Sequence, residues 1–268
     1  MNVRAAIASL ASLGDAQLHR DVGLPGTRVT LQFRLYGALR AEQRTITEAA
    51  SRDHPAEPVM ILAQAQSAFR ELEALLLGRE DTLLDSARDG DWSLRDLLRH
   101  LIAVELRYAE QAIYSAERRD ADPIPIPQAR LPGDRLAPPE QEFGETRSAG
   151  FAAVLALFEL ARARSDEQLS RLGPAVLGRP SDWGTLRVDV RTRLHQIAAH
   201  IVEGTVQAEK MLAPTAPFSE ARAIVRHIWR ARGRHERGSS NAILADLDTE
   251  LIAIGNMASG GHDPRSAT

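Results

Sequence analysis

Apolar residues recur every three or four positions along several long segments of the chain, which is the spacing of one face of an α-helix. Residues 57–77 have such a face, with Pro58 and Gly78 standing where a helix would begin and end. A second such segment follows Ser93, has Asp96 at the capping-box position, and runs to about residue 118. Both patterns predict long amphipathic helices.

Two more helices are predicted at roughly 145–165 and at 190–212, the second after a loop that contains Trp183. Between the second and third helices lies a proline-rich crossover, residues 120–145, which cannot be helical and which we expect to pack over the helices as a lid or strap. Four helices with one long crossover fit an all-α four-helix bundle, and the chain has no Gly-rich phosphate loop.

The ends of the chain predict further helices on both sides of this bundle. We expect an N-terminal helical extension at 1–55, the four-helix bundle at 56–215, and a C-terminal helical extension at 216–268. In the last segment His227 and His235 stand in a basic stretch, for which a solvated turn is the favoured interpretation because charge runs usually face water.

Composition excludes several classes of function. The net charge of −3 gives no attraction to nucleic acid or to an anionic membrane, and no apolar run is long enough for a spanning helix. The chain has no cysteine, so disulfides, cysteine-based zinc sites and a thiol nucleophile from the protein itself are ruled out. The first 20 residues resemble an amphipathic helix more than a secretion signal, so we expect a cytoplasmic protein.

Glu105 is the first candidate for chemistry, because helical spacing places it inside the apolar face of the second helix. A lone buried carboxylate is costly, so it should be paired or bound. A structural ion pair with an arginine is the favoured interpretation, and a catalytic role for Glu105 as a general base is the alternative.

A stripe of polar positions along the fourth helix, on one face about 100° wide, is the second candidate. The spacing turns His195 about 140° away from His200, so these two histidines cannot easily share a ligand. His200 and His100 could instead hold a divalent metal such as Zn²⁺ or Ni²⁺ between two facing helices, with Glu203 as the nearest third ligand. The stripe consists of Gln196, His200, Glu203, Gly204 and Gln207.

The segments "DWSLRDLLRHLIAVE" and "LHQIAAHIVEGTVQAEKML" resemble two helices of DinB-like proteins, and the resemblance covers roughly residues 56–215. It implies a DinB-like four-helix bundle, commonly a homodimer. In metal-binding members three histidines hold a divalent ion, and relatives such as mycothiol-dependent maleylpyruvate isomerase use it with a small thiol. His100 matches the first of these ligands and His200 the second, whereas the third position is Gly204, which has no side chain.

Three functions follow as hypotheses. The first is a divalent-metal-dependent enzyme that activates a low-molecular-weight thiol for attack on an electrophilic substrate, with a degraded metal triad. The second is a non-catalytic DinB-like bundle that binds a small ligand or a protein partner, in which Gly204 permits close helix approach. The third is an oligomeric scaffold whose terminal helices pack a dimer.

Overall fold

A computed structural model describes residues 2–23, 28–87, 92–131, 146–215 and 218–260. Over these ranges most residues are helical and the one sheet is a two-stranded antiparallel hairpin, so the all-α prediction is confirmed. The elements in chain order are α1 (Val3–Ala11), α2 (Asp15–Leu18), α3 (Leu31–Asp53), α4 (Glu57–Leu76), α5 (Leu94–Glu117), α6 (Phe151–Leu169), β1 (Pro180–Trp183), β2 (Leu186–Asp189), α7 (Val190–Leu212), α8 (Glu220–His235) and α9 (Asn241–Ala258).

The backbone contacts divide the chain into two compact units. The central unit comprises Pro55–Phe69 and Glu80–Met211, and therefore holds most of α4, all of α5 and α6, the hairpin and nearly all of α7. The terminal unit comprises Met1–His54, Arg70–Arg79 and Leu212–Thr268. The two ends of the chain thus belong to the same unit. That unit also contains the last two turns of α4.

The helix start at Ser93 and the helix stop at Gly78 are both present in the structure. Ser93 Oγ accepts a hydrogen bond from the Asp96 amide at 3.1 Å, and Asp96 Oδ2 accepts one from the Ser93 amide at 3.3 Å, so the predicted capping box starts α5. At the other end of α4, Gly78 has a φ of +72°, which a residue with a side chain rarely adopts. The predicted helix stop at Gly78 is therefore confirmed.

The third bundle helix begins at residue 151, six residues later than the sequence predicts. Arg95 contributes to this, because its Nη1 donates to the carbonyl oxygens of Thr146 and Ala149, at 2.9 and 2.6 Å, and so fixes the non-helical segment before the helix. Asp81 then accepts the Phe151 amide at 2.7 Å and caps α6 from a distant part of the chain. Neither contact is visible in the local sequence.

The tryptophan-containing loop before the fourth bundle helix is a β-hairpin instead. In the hairpin, Pro180 lies opposite Asp189 at the open end and Trp183 lies opposite Leu186 next to the turn. Gly184 makes the turn with a φ of +59°. The hairpin is fixed to α5 because Ser115 Oγ donates to Ser181 Oγ at 2.8 Å, with both residues buried.

The described part of the crossover after α5 lies against that helix. Tyr114 Oη donates to the Pro123 carbonyl oxygen at 2.5 Å, and Arg130 stacks over the Tyr114 ring at 5.3 Å. The rest of the expected lid or strap, residues 132–145, lies outside the described residues.

The prediction of a solvated basic turn around His235 is wrong. Helix α8 continues to His235, which is 4% exposed, and Arg232 is 3% exposed. Glu42 of α3 receives both: Arg232 Nη2 donates to it at 2.8 Å and His235 Nε2 lies 2.6 Å from it. Arg232 also donates to Asp248 of α9 at 2.5 Å, so these charges join three helices of the terminal unit.

No helix in the described ranges has the length and apolar character needed to cross a membrane.

The buried Glu42 cluster predicts a large effect from one truncation. Glu42→Ala should lower the free energy of unfolding by about 3–5 kcal/mol, because it removes the carboxylate that the buried Arg232 guanidinium and the buried His235 ring share. Glu48→Ala is the control on the same helix: Glu48 is 58% exposed in its pair with Arg44, so the loss should stay below about 1 kcal/mol. Urea unfolding measures both, and equal losses would contradict the assignment.

Candidate functional site

His100 of α5 and His200 of α7 point at each other inside the central unit. Their Nε2 atoms are 3.2 Å apart, and their ring planes are inclined at 71°. The capping box at Ser93 starts α5 two turns before His100, and the hairpin delivers the chain into α7 at Val190. The structure therefore brings together the two histidines that sequence reasoning paired.

Glu203 determines which nitrogen of His200 faces His100. Its Oε2 lies 3.3 Å from His200 Nδ1, one helical turn away. Because a carboxylate only accepts, this contact is a hydrogen bond in the tautomer of His200 that has its hydrogen on Nδ1 and its lone pair on Nε2.

The distance between the two Nε2 atoms suits a divalent metal. Two nitrogens bound at ~2.1 Å lie about 3.0 Å apart at a right angle and about 3.4 Å apart at the tetrahedral angle. The observed 3.2 Å falls between these values. The two imidazoles therefore fit adjacent positions of one Zn²⁺ or Ni²⁺ ion.

Glu203 does not occupy the position of a third ligand. Its carboxylate meets His200 at Nδ1, whereas the nitrogen that faces His100 is Nε2, and its side chain is 63% exposed. This arrangement orients the His200 ring, as carboxylates do behind metal-binding histidines. Among the residues that the structure describes, no group of three histidine, aspartate or glutamate side chains could hold a metal ion.

Gly204, the position where the resemblance implies a third histidine, is packed against Leu101. A Cβ atom at residue 204 would lie 2.6 Å from Leu101 Cδ1 and 2.8 Å from its Cδ2. Leu101 follows His100 directly and is only 2% exposed. The side chain of Leu101 thus fills the space that a third ligand would need.

The two histidines border a pocket of about 300 Å³. One wall is apolar, formed by Trp92, Leu97 and Leu101, and the opposite side carries the polar stripe of α7. Trp92 packs edge-on against His100, with ring centroids 4.9 Å apart. The complete lining is Trp92, Leu97, His100, Leu101, His200, Glu203, Gly204 and Gln207.

Arg193 extends the polar stripe beyond His200, and sequence reasoning missed it. It is 1% exposed and donates to the side-chain oxygens of Gln196 and Gln111, each at 2.7 Å. Its guanidinium lies 4.4 Å from the centroid of Tyr108, whose ring is 5.7 Å from that of His200. Burial lowers the pKa of Arg193 to about 10. Arg193 precedes His200 by two helical turns, and this spacing could have placed both residues on the same face of the helix.

Glu105 is placed away from the pocket lining and is paired with an arginine. Arg162 of α6 donates to Glu105 at 2.5 Å and to Asp166 at 2.6 Å, and its side chain is fully buried. Burial raises the pKa of Glu105, the effect expected when a carboxyl group leaves water. The structure agrees with the favoured interpretation of Glu105 as the partner of an arginine in an ion pair.

His195 lies on the exposed face of α7 and takes no part in the pocket.

The family model described as the DinB superfamily matches residues 61–203, more than half of the 268 residues. The match includes both histidines, Glu203 and the hairpin, and ends just before Gly204. No curated protein and no solved structure matches the chain.

The contact between Leu101 and Gly204 predicts that the effect of Gly204→Ala on stability changes sign when Leu101 is truncated. Gly204→Ala should destabilise the protein by about 1–2 kcal/mol, because the new methyl group overlaps Leu101. In a Leu101→Ala background the same substitution should stabilise it by up to about 1 kcal/mol, because alanine favours a helix more than glycine. Urea unfolding of the four proteins measures this, and an equal effect in both backgrounds would refute it.

The buried ion pair between Arg162 and Glu105 predicts that removing the arginine destabilises the protein strongly. Arg162→Met should lower the free energy of unfolding by about 3–5 kcal/mol, since Glu105 and Asp166 would stay buried without their cation. Arg171→Met is a matched control, because Arg171 is on the chain just after α6, pairs with Glu167 four residues away, and is 72% exposed. That control should cost less than about 1 kcal/mol in chemical denaturation.

Proposed function

The chain belongs to the DinB superfamily, and we propose that it is a divalent-metal-dependent enzyme that works with a low-molecular-weight thiol from outside the protein, of the S-transferase or isomerase type. The observation that carries this proposal is the 3.2 Å approach of His100 Nε2 and His200 Nε2 at the edge of a pocket of about 300 Å³. Two imidazole rings that converge on a pocket with an apolar wall support a site for a small molecule.

His100 and His200 would hold the metal, with Zn²⁺ or Ni²⁺ as the ions that imidazole nitrogens suit. When bound, such an ion supplies Lewis acidity, which lowers the pKa of a thiol or water that coordinates it. The thiol has to come from solution, because the chain contains no cysteine.

The surrounding residues position the reacting groups. Glu203 holds the hydrogen of His200 on Nδ1, so that Nε2 keeps its lone pair directed toward the site. Trp92 restricts the orientation of the His100 ring from the other side. Leu97 and Leu101 keep water away from one wall of the pocket, which strengthens polar interactions inside it. Gln207 offers an amide that can bond to a polar substrate group.

A non-catalytic bundle that binds a small ligand is the second candidate. The observation that favours it is the packing of Leu101 into the position of a third ligand, 2.6 Å from a Cβ at residue 204. In that case the two histidines and Glu203 form a hydrogen-bonded chain that is satisfied within the protein.

Metal analysis of protein purified without a histidine tag separates the two candidates. The enzyme hypothesis predicts bound metal and a thermal stabilisation by Zn²⁺ or Ni²⁺, worth about 2.7 kcal/mol at roughly 100 times the dissociation constant. His100→Ala and His200→Ala should each abolish the metal-dependent shift. His195→Ala is the control, since His195 is on α7 but exposed and outside the pocket.

The ligand-binding alternative predicts a different result for the same proteins. His200→Ala would then lower the melting temperature without metal and leave the metal content unchanged. Absence of bound metal together with absence of any thermal shift by either ion would reject the enzyme hypothesis.

A further inference from the structure

We propose that Ser239, His235 and Glu42 form a second chemical site, in the terminal unit, where Ser239 is the nucleophile that transfers the acyl group of a small ester to water. The site is independent of the proposed function, because it shares no residue with the pocket that His100 and His200 border. Two short contacts join the three side chains in the order that a nucleophilic serine requires.

The first contact joins the serine to a base. Ser239 lies in the turn between α8 and α9, and its Oγ is 2.8 Å from His235 Nδ1. Ser239 is partly exposed, whereas the side chain of His235 is 1% exposed. A hydroxyl within hydrogen-bond reach of an imidazole nitrogen can pass its proton to that nitrogen as the oxygen attacks a substrate. The hydroxyl is therefore open to solvent while its base is held in the interior.

The second contact orients the base. His235 Nε2 lies 2.6 Å from Glu42 Oε2, and the carboxylate is buried. Because a carboxylate only accepts, this contact is a hydrogen bond when Nε2 carries the hydrogen, and Nδ1 then has the lone pair that faces Ser239. The order of nucleophile, base and carboxylate is that of the serine hydrolases, with the two ring nitrogens exchanged.

Arg232 and Asp248 surround the carboxylate with further charge. Arg232 Nη2 donates to Glu42 at 2.8 Å, which fixes the carboxylate behind the imidazole, and Arg232 Nη1 donates to Asp248 at 2.5 Å. Glu42, Asp248 and Arg232 together have two negative charges and one positive charge. A positive charge that develops on the His235 ring during proton transfer would therefore be offset by its neighbours.

The N-terminus of α9 lies close to the serine along the chain. Ser240 caps this helix by accepting from the Ile243 amide, and α9 begins at Asn241, two residues after Ser239. The first amides of an α-helix have no acceptor within the helix and carry partial positive charge. This end of α9 thus favours an oxyanion that forms on a substrate bonded to Ser239.

The reaction is balanced with water as the co-reactant. Ser239 Oγ bonds to the acyl carbon of the ester as its proton passes to His235 Nδ1. The bond from the acyl carbon to the alcohol oxygen then breaks, and that oxygen takes the proton from His235. Water attacks the acyl-serine, its proton passes through His235 to Ser239 Oγ, and the carboxylic acid leaves.

A fluorophosphonate tests the nucleophile in the full-length protein, because it bonds through phosphorus to an activated serine oxygen and releases fluoride. Ser239 should be labelled at least about tenfold faster than Ser51, as measured by mass spectrometry of the peptides. Ser51 is a matched control, since it is exposed, lies on α3 of the same unit, and donates to the Thr47 carbonyl oxygen. Ser239→Ala should remove the fast reaction and leave the rate at Ser51 unchanged.

The chain has no cysteine, which allows a second test of the base. Ser239→Cys and Ser51→Cys each place a single thiol in the protein. At pH 7 iodoacetamide should alkylate the thiol at residue 239 at least about tenfold faster than the thiol at residue 51, because a neighbouring histidine favours the thiolate. Adding His235→Gln to Ser239→Cys should remove this difference.

A serine that only ends α8 would give the opposite results. The fluorophosphonate would then label Ser239 no faster than Ser51, or iodoacetamide would alkylate the two thiols at similar rates, and either result overturns the inference. If the variant with His235→Gln does not fold, the two comparisons between residues 239 and 51 decide, since neither changes a buried residue.

Discussion

The contact between His100 Nε2 and His200 Nε2 is the constraint on which the site depends. Two ring nitrogens can approach to 3.2 Å only if one carries a hydrogen and the other a lone pair, or if a cation lies between them. Glu203 Oε2 lies 3.3 Å from His200 Nδ1 and favours the tautomer in which that nitrogen carries the hydrogen and Nε2 the lone pair. Leu101 packs against Gly204, one residue from His100 on α5 and one helical turn from His200 on α7. The same packing that brings the imidazoles together therefore removes the space for a third one.

The residues of this pair could be predicted from the sequence because helical periodicity is local. Counting about 100° per residue separates His195 from His200 and places His200 on the stripe with Glu203. The side on which Glu203 approaches the ring could not be predicted, because it depends on a side-chain rotamer and not on the helical phase. Periodicity thus identified the members of the site but not the role of the carboxylate.

The start and end points of the helices were likewise predictable only where local sequence determines them. Helices that carry their own caps, such as α5 with Ser93, begin where the sequence indicates. Helix α6 begins later because Arg95 and Asp81, both distant in sequence, hold the segment that precedes it. The segment around His235 was predicted to face water, yet Glu42 from another helix draws Arg232 and His235 into the interior. In each case a long-range charged contact overrides a local preference.

Arginine makes these contacts possible in a chain with a single lysine. Its planar fork can bond to two acceptors at once, as Arg162 does with Glu105 and Asp166. Arg193 differs, because among the described residues its partners are the neutral oxygens of Gln111 and Gln196 and the face of Tyr108. Tyr108 also contacts His200, so this buried positive charge lies beside the site. A divalent metal there would add charge of the same sign, and the exposed Glu203 offsets little of it. If the site holds a divalent metal, as proposed, an anionic donor such as a thiolate would offset part of this positive charge.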